Sequence, residues 1–228
     1  MKKTALLALV SVAAMTLPSF AQNKIDNRLG DSAEVLKQIL LKPDEIPQGY
    51  LNKSVCVLVF PGVKKIAVGI GATYGRGVIL CRTGTNMTGP WSSPAMYKLD
   101  IGSLGVQLGS SSTDYVLLVE TKTGAQKVLS GKLKLGAGCS AVAGPTGAQA
   151  QGLNDPNVDI LTYSRSKGLF AGAALGSASL DTDDDANKTV YGKDITATTI
   201  VREGGVTTTS AGRPLVALLE KHSPNYVK

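Results

Sequence analysis

Beyond residue 54 the chain is written in short apolar runs, each soon closed by glycine, proline or a polar pair, and this punctuation constrains the fold more than any other feature. Val55–Phe60 ends at Pro61-Gly62, Ile66–Thr73 reads I-A-V-G-I-G-A-T and leads to Gly75-Arg76, and Gly77–Cys81 follows. Apolar runs bounded in this way read as strands. The pattern predicts three short strands here, joined by tight turns, and three more over Pro94–Leu99, Ser103–Leu108 and Tyr115–Glu120. Next come a turn at Thr121–Gly124, a helical turn or two over Ala125–Leu129, a strand over Lys132–Val142 and a break at Gly144–Gly147. Asp159–Tyr163 and Leu169–Leu180 read as a hairpin around Arg165–Gly168, closed by the run Asp181–Asp185. Short connections without crossover helices favour antiparallel pairing, and a meander is the simplest topology.

Ahead of the strands the period changes. Ile25, Leu29, Ala33, Leu36 and Leu40 line one face of a helix over Ile25–Leu41, which Pro43 and Pro47 stop. Its other face carries Lys24, Arg28, Asp31, Glu34 and Lys37, a mixture that favours docking on the domain over lying in a membrane. Two short helical stretches, Ile195–Arg202 and Pro214–Lys221, occupy the C-terminal part. The expected fold is α+β: a mainly antiparallel, curved sheet, barrel- or sandwich-like, with an N-terminal amphipathic helix and short C-terminal helices. Residues 22–228 read as a single domain without a repeat.

Residues 1–21 read as an export signal. Lys2 and Lys3 precede the uncharged stretch Ala5–Leu17, and small residues at Ser19 and Ala21 place cleavage after Ala21. The apolar stretch falls short of the roughly 20 residues needed to cross a bilayer. Gln22, not Cys, follows the cut, so no acylated N-terminus is expected. The mature chain is then expected in the periplasm or secreted, free or peripheral on the outer or inner membrane, with no transmembrane span. The formal charge of +7 drops to +5 once Lys2 and Lys3 are removed. That excess suits anionic surfaces, while export argues against nucleic acid. Three cysteines leave at least one thiol unpaired within the chain. Cys56 and Cys81 each lie in a predicted strand, and both a bridge between them and three small buried side chains remain open.

Catalytic chemistry finds little footing. The single histidine, His222, would have to serve any triad or imidazole shuttle. No G-x-S-x-G occurs, and Ser110–Ser112 have only carboxylates for company. Gly69–Gly75 lacks the spacing of a dinucleotide fingerprint, and strand rather than helix follows it. Its alternating glycines instead suit bends and close backbone approach in a curved sheet. Gly168, Gly172 and Gly176 have GxxxG spacing in a segment too short to span a membrane. Asp181, Asp183 and Asp185 have the one-three-five spacing of a calcium loop, but Ala186 and Gly192 stand where Gly and a bidentate Glu belong. A solvated turn or a helix cap is the ordinary role of such a cluster. No enzyme activity, cofactor or metal is expected.

The cations are more informative. Lys64, Lys65, Arg76, Lys132, Lys134, Arg165 and Lys167 flank successive predicted turns. Lys132 and Lys134, two apart in a strand, point the same way. If those turns share one rim, the cations form a patch for phosphate oxygens. If not, they are solubilising charges.

An ordered series of blocks closely resembles the SYLF lipid-binding family: Val57–Pro61, Gly77–Leu80, Trp91–Tyr97, Gly102–Gly109, Lys132–Gly136, Ala141–Gly147, Tyr163–Gly172, and Asp183–Asn187 with Tyr191-Gly192. The resemblance covers about residues 32–222. It implies a single non-catalytic domain that binds acidic phospholipids, phosphoinositides in particular. Eukaryotic members also contact actin, a role not expected of an exported chain. Thr73-Tyr74 interrupts a stretch that is usually rich in glycine and serine, and Cys139 stands where a small or acidic residue is common. The expected headgroup site centres on Arg165 and Lys167, with Lys132, Lys134, Lys64, Lys65 and Arg76 around it. The structural alternative has Arg165 held by a carboxylate such as Asp159 or one of Asp183–Asp185. The functional alternative is an envelope-maintenance protein that works through protein contacts without lipid specificity.

Overall fold

A computed structural model describes residues 19–42, 46–68, 70–102, 111–146, 158–166, 169–173, 175, 178–192 and 194–227. Residues 1–18 of the signal segment, the predicted strand Ser103–Leu108 and Lys167 lie outside them, while Ser19, Phe20 and Ala21 fall within the first helix. Nine strands form one sheet: β1 (Cys56–Val68), β2 (Ile70–Cys81), β3 (Ala95–Gly102), β4 (Ser111–Val119), β5 (Leu133–Lys134), β6 (Ala141–Ala143), β7 (Ile160–Ser166), β8 (Leu169–Gly172) and β9 (Ala178–Thr182). Their order is β5-β9-β3-β2-β1-β4-β7-β6, with β8 also paired to β7. Every pair is antiparallel except β6–β7.

The two ends of that order, β5 and β6, are joined by residues 135–140 alone. Laid flat, such a path would be about 34 Å wide. The connection reaches at most about 25 Å. The sheet therefore curls into a half-barrel. Leu133 and Leu180 from one end share an inner core with Leu117 and Ile160 from the other, around Phe60 and Tyr97. Helix α3 (Lys122–Leu129), capped by the Thr121 hydroxyl, fills this interior with Ala125, Val128 and Leu129.

The outer face is covered by α1 (Ser19–Leu40), α4 (Asp184–Tyr191) and α5 (Arg213–His222), which pack on Val57, Val59, Val78, Leu80, Met96, Val116 and Leu118. Because β1 and β4 are buried on both faces, their sequences are continuous apolar runs rather than alternating ones. A short helix α2 (Gln48–Lys53) and a single π-helical turn, Thr199–Glu203, complete the described elements.

Several expectations change. The three strands read over residues 55–81 are two long ones, because Gly75-Arg76 is not a turn but lies within β2, paired with Leu99 and Lys98. The β1–β2 hairpin closes further on instead, where Val68 pairs with Ile70. Pro61-Gly62 does not end β1 but forms a bulge in it, with Gly62 at φ 57°. A bulge is where a central strand tolerates proline. Gly77 is required, since a Cβ there would strike the Val59 carbonyl and Phe60. The single strand read over Lys132–Val142 splits into β5 and β6 at opposite ends of the sheet. Leu169–Leu180 divides too: β8 pairs with β7, and β9 crosses to β3 and β5. Helix α1 starts earlier than Ile25 and buries Arg28 along with its apolar face. The Ile195–Arg202 helix is found over residues 197–203, in π-helical form over Thr199–Glu203, and α2, unforeseen behind Pro47, follows that residue directly.

The cysteine question is resolved by register. Cys56 and Cys81 are direct cross-strand partners and form a disulfide, while Cys139 is free and buried. Burial, with Asp159 nearby, pushes the Cys139 thiol up to about 12, so it is inert at neutral pH.

Candidate functional site

Side chains alternate across a strand, so the residues in step with Val78, Leu80, Met96 and Tyr163 also point to the outer face. Past the helices this parity brings out Arg76 and Tyr74 on β2, Lys98 and Asp100 on β3, Asp114 on β4 and Arg165 on β7. Cross-strand register sorts them into two rows. One runs Asp181, Lys98, Arg76, then the Pro61-Gly62 bulge, then Asp114 and Arg165. The next runs Lys134, Ser179, Asp100, Tyr74, Lys64 and Ser112.

Asp183 organises the first half of the upper row. Its side chain is 2% exposed and meets three cations: Arg28 of α1 at 2.9 Å, Arg76 at 3.4 Å and Lys98 at 3.6 Å. Arg28 is buried with it, whereas the Arg76 side chain is 51% exposed and that of Lys98 32% exposed. Arg76 Nε also donates to the Tyr74 hydroxyl, and that bond holds its guanidinium pKa above the ordinary value. Tyr74 is 41% exposed, one of three large hydrophobic side chains left open among the described residues. One carboxylate thus gathers three cations, two of which still face solvent.

Arg165 has a different environment. Nε and Nη2 both bond Asp114 Oδ2, at 2.7 and 2.5 Å, between residues paired directly across β4 and β7. The other carboxylate oxygen of Asp114 accepts the Gly62 amide at 2.7 Å. The partner of Arg165 is therefore Asp114, not Asp159 or the Asp183–Asp185 run. Asp159 is engaged elsewhere, accepting from the Thr121 hydroxyl, the Ser140 amide and Lys127.

The remaining sequence-chosen cations are spread out. Lys64 is exposed in the lower row, and Lys134 is exposed at its far end, four strands away and about 19 Å across the sheet. Lys132 lies outside β5, exposed at φ 50°. Lys65 points away from Lys64 on β1. The three aspartates with calcium-loop spacing do not converge: Asp183 turns to its cations, and Asp181 accepts the Thr182 amide.

The blocks that carry the family resemblance have structural work around this site. Asn187 bonds both backbone groups of Met96, Tyr191 donates to the Pro94 carbonyl at 2.5 Å, and Gly192 closes α4 at φ 69°. Together they fasten α4, and hence Asp183 at its start, to β3. Trp91 and the fully buried Arg82 clasp the carbonyl of Ser223 beyond α5, at 2.9 and 3.0 Å. The Arg82 guanidinium lies 4.4 Å from the Trp91 ring and has no carboxylate in salt-bridge reach among the described residues. Burial lowers its pKa. Sequence reasoning missed Arg28, Lys98, Asp114 and Asp183 as partners, because Arg28 and Asp183 are 155 positions apart and only the fold joins them. Two open clefts, near Asp184 and Asp194 and near Val190 and Val206, have no convergent catalytic set among the described residues that line them.

A family model described as Ysc84, Las17-binding protein actin regulator, matches residues 100–222. An SH3 domain-containing protein of Schizosaccharomyces pombe is 31% identical over 80% of this chain and 43% of its own length. Protein YSC84 of Saccharomyces cerevisiae is 27% identical over 81% of this chain and 40% of its own. The SH3 domain-containing YSC84-like protein 1 of Bos taurus is 26% identical over 81% and 54%. The chain thus spans roughly half or less of the curated relatives it matches. The description of the matched family names Las17 binding and actin regulation. On the family match, and on the ordered blocks the fold uses to build one half-barrel, the chain belongs to the Ysc84 family, whose shared unit is the SYLF domain.

Proposed function

We propose that this chain is a non-catalytic module of the cell envelope that binds anionic phospholipid surfaces through the outer-face band of Lys64, Tyr74, Arg76 and Lys98. The observation that carries this reading is the three-to-one ratio of cations to carboxylate at Asp183, with Arg76 and Lys98 left partly open beside an exposed tyrosine. Each exposed cation near an anionic surface contributes on the order of 1 kcal/mol, so several acting together hold a domain on a membrane where one does not. Tyr74 suits the interface, with an apolar ring and a polar tip. Asp100 and Asp181 in the same rows limit the patch, so binding is weak and sensitive to salt. The Cys56–Cys81 bridge supports export, since disulfides persist in oxidising compartments. No helix among the described residues is long and apolar enough to cross a membrane.

The test is sedimentation with vesicles of neutral phosphatidylcholine, with and without an anionic lipid, at low and physiological salt. Binding is expected only to the anionic vesicles and should fall as salt rises, because the attraction is screened over about 8 Å at physiological ionic strength. Equal binding to both vesicles, or to neither, would favour the protein-contact reading, which the Las17-binding name of the family supports.

A further inference from the structure

Glu120, at the end of β4, is a half-buried carboxyl that the membrane reading does not use. Its Oε1 lies 2.7 Å from the Ser54 hydroxyl, which is also 2.7 Å from the Tyr50 carbonyl of α2. A hydroxyl has one proton to donate. If Glu120 is ionised, two acceptors compete for that proton and one is left facing an oxygen without a hydrogen between them. If Glu120 is the neutral acid, it donates to Ser54 Oγ, Ser54 donates to Tyr50, and every oxygen is satisfied. The Tyr50 carbonyl keeps the Ser54 amide in either state, but only the neutral acid puts a hydrogen in both short oxygen–oxygen contacts.

What hangs on that chain is α2. Ser54 is its C-cap, and its amide also bonds the Tyr50 and Leu51 carbonyls. Segment 223–227 is mounted on α2: the Ser223 hydroxyl donates to the Leu51 carbonyl at 3.3 Å, the Val227 amide to the Asn52 carbonyl at 3.0 Å, and Gln48 to the His222 carbonyl at 2.6 Å. Arg82 ties the same parts together, bonding the Ser54 carbonyl and Ser223.

We propose that Glu120 is a proton-linked latch: as the neutral acid it fastens the C-cap of α2, and through α2 the segment 223–227, and when it ionises both loosen. The surroundings agree. Burial is the main influence and pushes the carboxyl up to about 7, with the Ser54 hydroxyl and Lys53 holding it down. The other groups facing it are Tyr50 of α2, Tyr163 of β7, whose pKa burial raises, and Asp159, whose backbone carbonyl accepts the Glu120 amide. Arg82 acts only through the Ser54 carbonyl. Lys53 on α2 is thus the cation that opposes the neutral acid.

The sign follows from the raised pKa. The latch is closed below the ordinary glutamate range and opens as pH rises through about 7. The experiment is a carbon-13 titration of the Glu120 carboxyl together with amide exchange at Ser54 and Val227, in wild type and E120Q. The carboxyl should titrate near 7, and protection of both amides should fall on the order of tenfold between pH 6 and 8, after correction for base catalysis. In E120Q the amide donates to Ser54 as the acid does, and protection should stay the same at both pH values. A carboxyl titrating near its ordinary value of about 4.3 overturns the proposal, as does an unchanged loss of protection in E120Q. If E120Q does not fold, the wild-type titration decides alone.

Discussion

Two groups of charges share one row of the outer face, on either side of the Pro61-Gly62 bulge, and behave differently. On one side Arg165 faces Asp114 directly across β4 and β7, one cation to one carboxylate, with the spare oxygen taken by the Gly62 amide. On the other, Arg28, Arg76 and Lys98 converge on Asp183 alone. The first pair matches charge for charge and is mostly covered on the outer face. The second leaves positive charge over at the surface. Whether a basic side chain can meet a ligand is therefore decided less by the loop it flanks than by what register places opposite it.

The strongest way to break this comparison is D183N. Arg28 would stay buried next to a neutral amide, and removing one partner of a buried pair costs about 3–5 kcal/mol. Thermal unfolding should shift down by roughly 10 °C for a chain of this size. Adding R28M should recover part of that loss, because it removes the uncompensated charge. No recovery would show that Arg28 is not the partner that matters.

A smaller effect is expected on the other side. D114N should cost about 1–2 kcal/mol, since the Arg165 pair is only partly buried, while an asparagine oxygen can still accept the Gly62 amide. R165Q should cost about the same, and the double variant little more than either single one, in a cycle read by denaturant midpoint. Smallest of all is the effect of K64E on stability, within about 0.5 kcal/mol for an exposed side chain with no ion pair among the described residues.

The sequence disclosed the architecture in outline, and the residues show where it stopped. The α+β class and antiparallel bias were legible because Gly and Pro mark the turns and α1 has a clean helical period. The Gly75-Arg76 pair misled, because a glycine packed against Val63 inside β2 has the same sequence mark as one in a turn. Splitting Lys132–Val142 between opposite sheet ends depends on closure of the curl, a long-range property with no local signal. In the candidate site, Lys64, Arg76, Lys134 and Arg165 share the outer face without forming the expected single rim of turns, since Arg76 lies inside β2 and Lys134 at the far end of the sheet. Their inequality was not legible, since Asp114 and Asp183 are ordinary acids until the strands pair.

The central claim is that the outer-face band of Lys64, Tyr74, Arg76 and Lys98, and not the Arg165 hairpin, meets anionic lipid. It is tested by measuring K64E/K98Q and R165Q side by side, each for melting temperature and for sedimentation with anionic vesicles. Losing those charges should weaken vesicle binding by K64E/K98Q about tenfold or more while its melting stays within a few degrees of wild type. R165Q should melt lower yet bind, while folded, as well as wild type. If R165Q instead loses binding without losing stability, and K64E/K98Q binds normally, the assignment is wrong and the headgroup site belongs to the β7 hairpin.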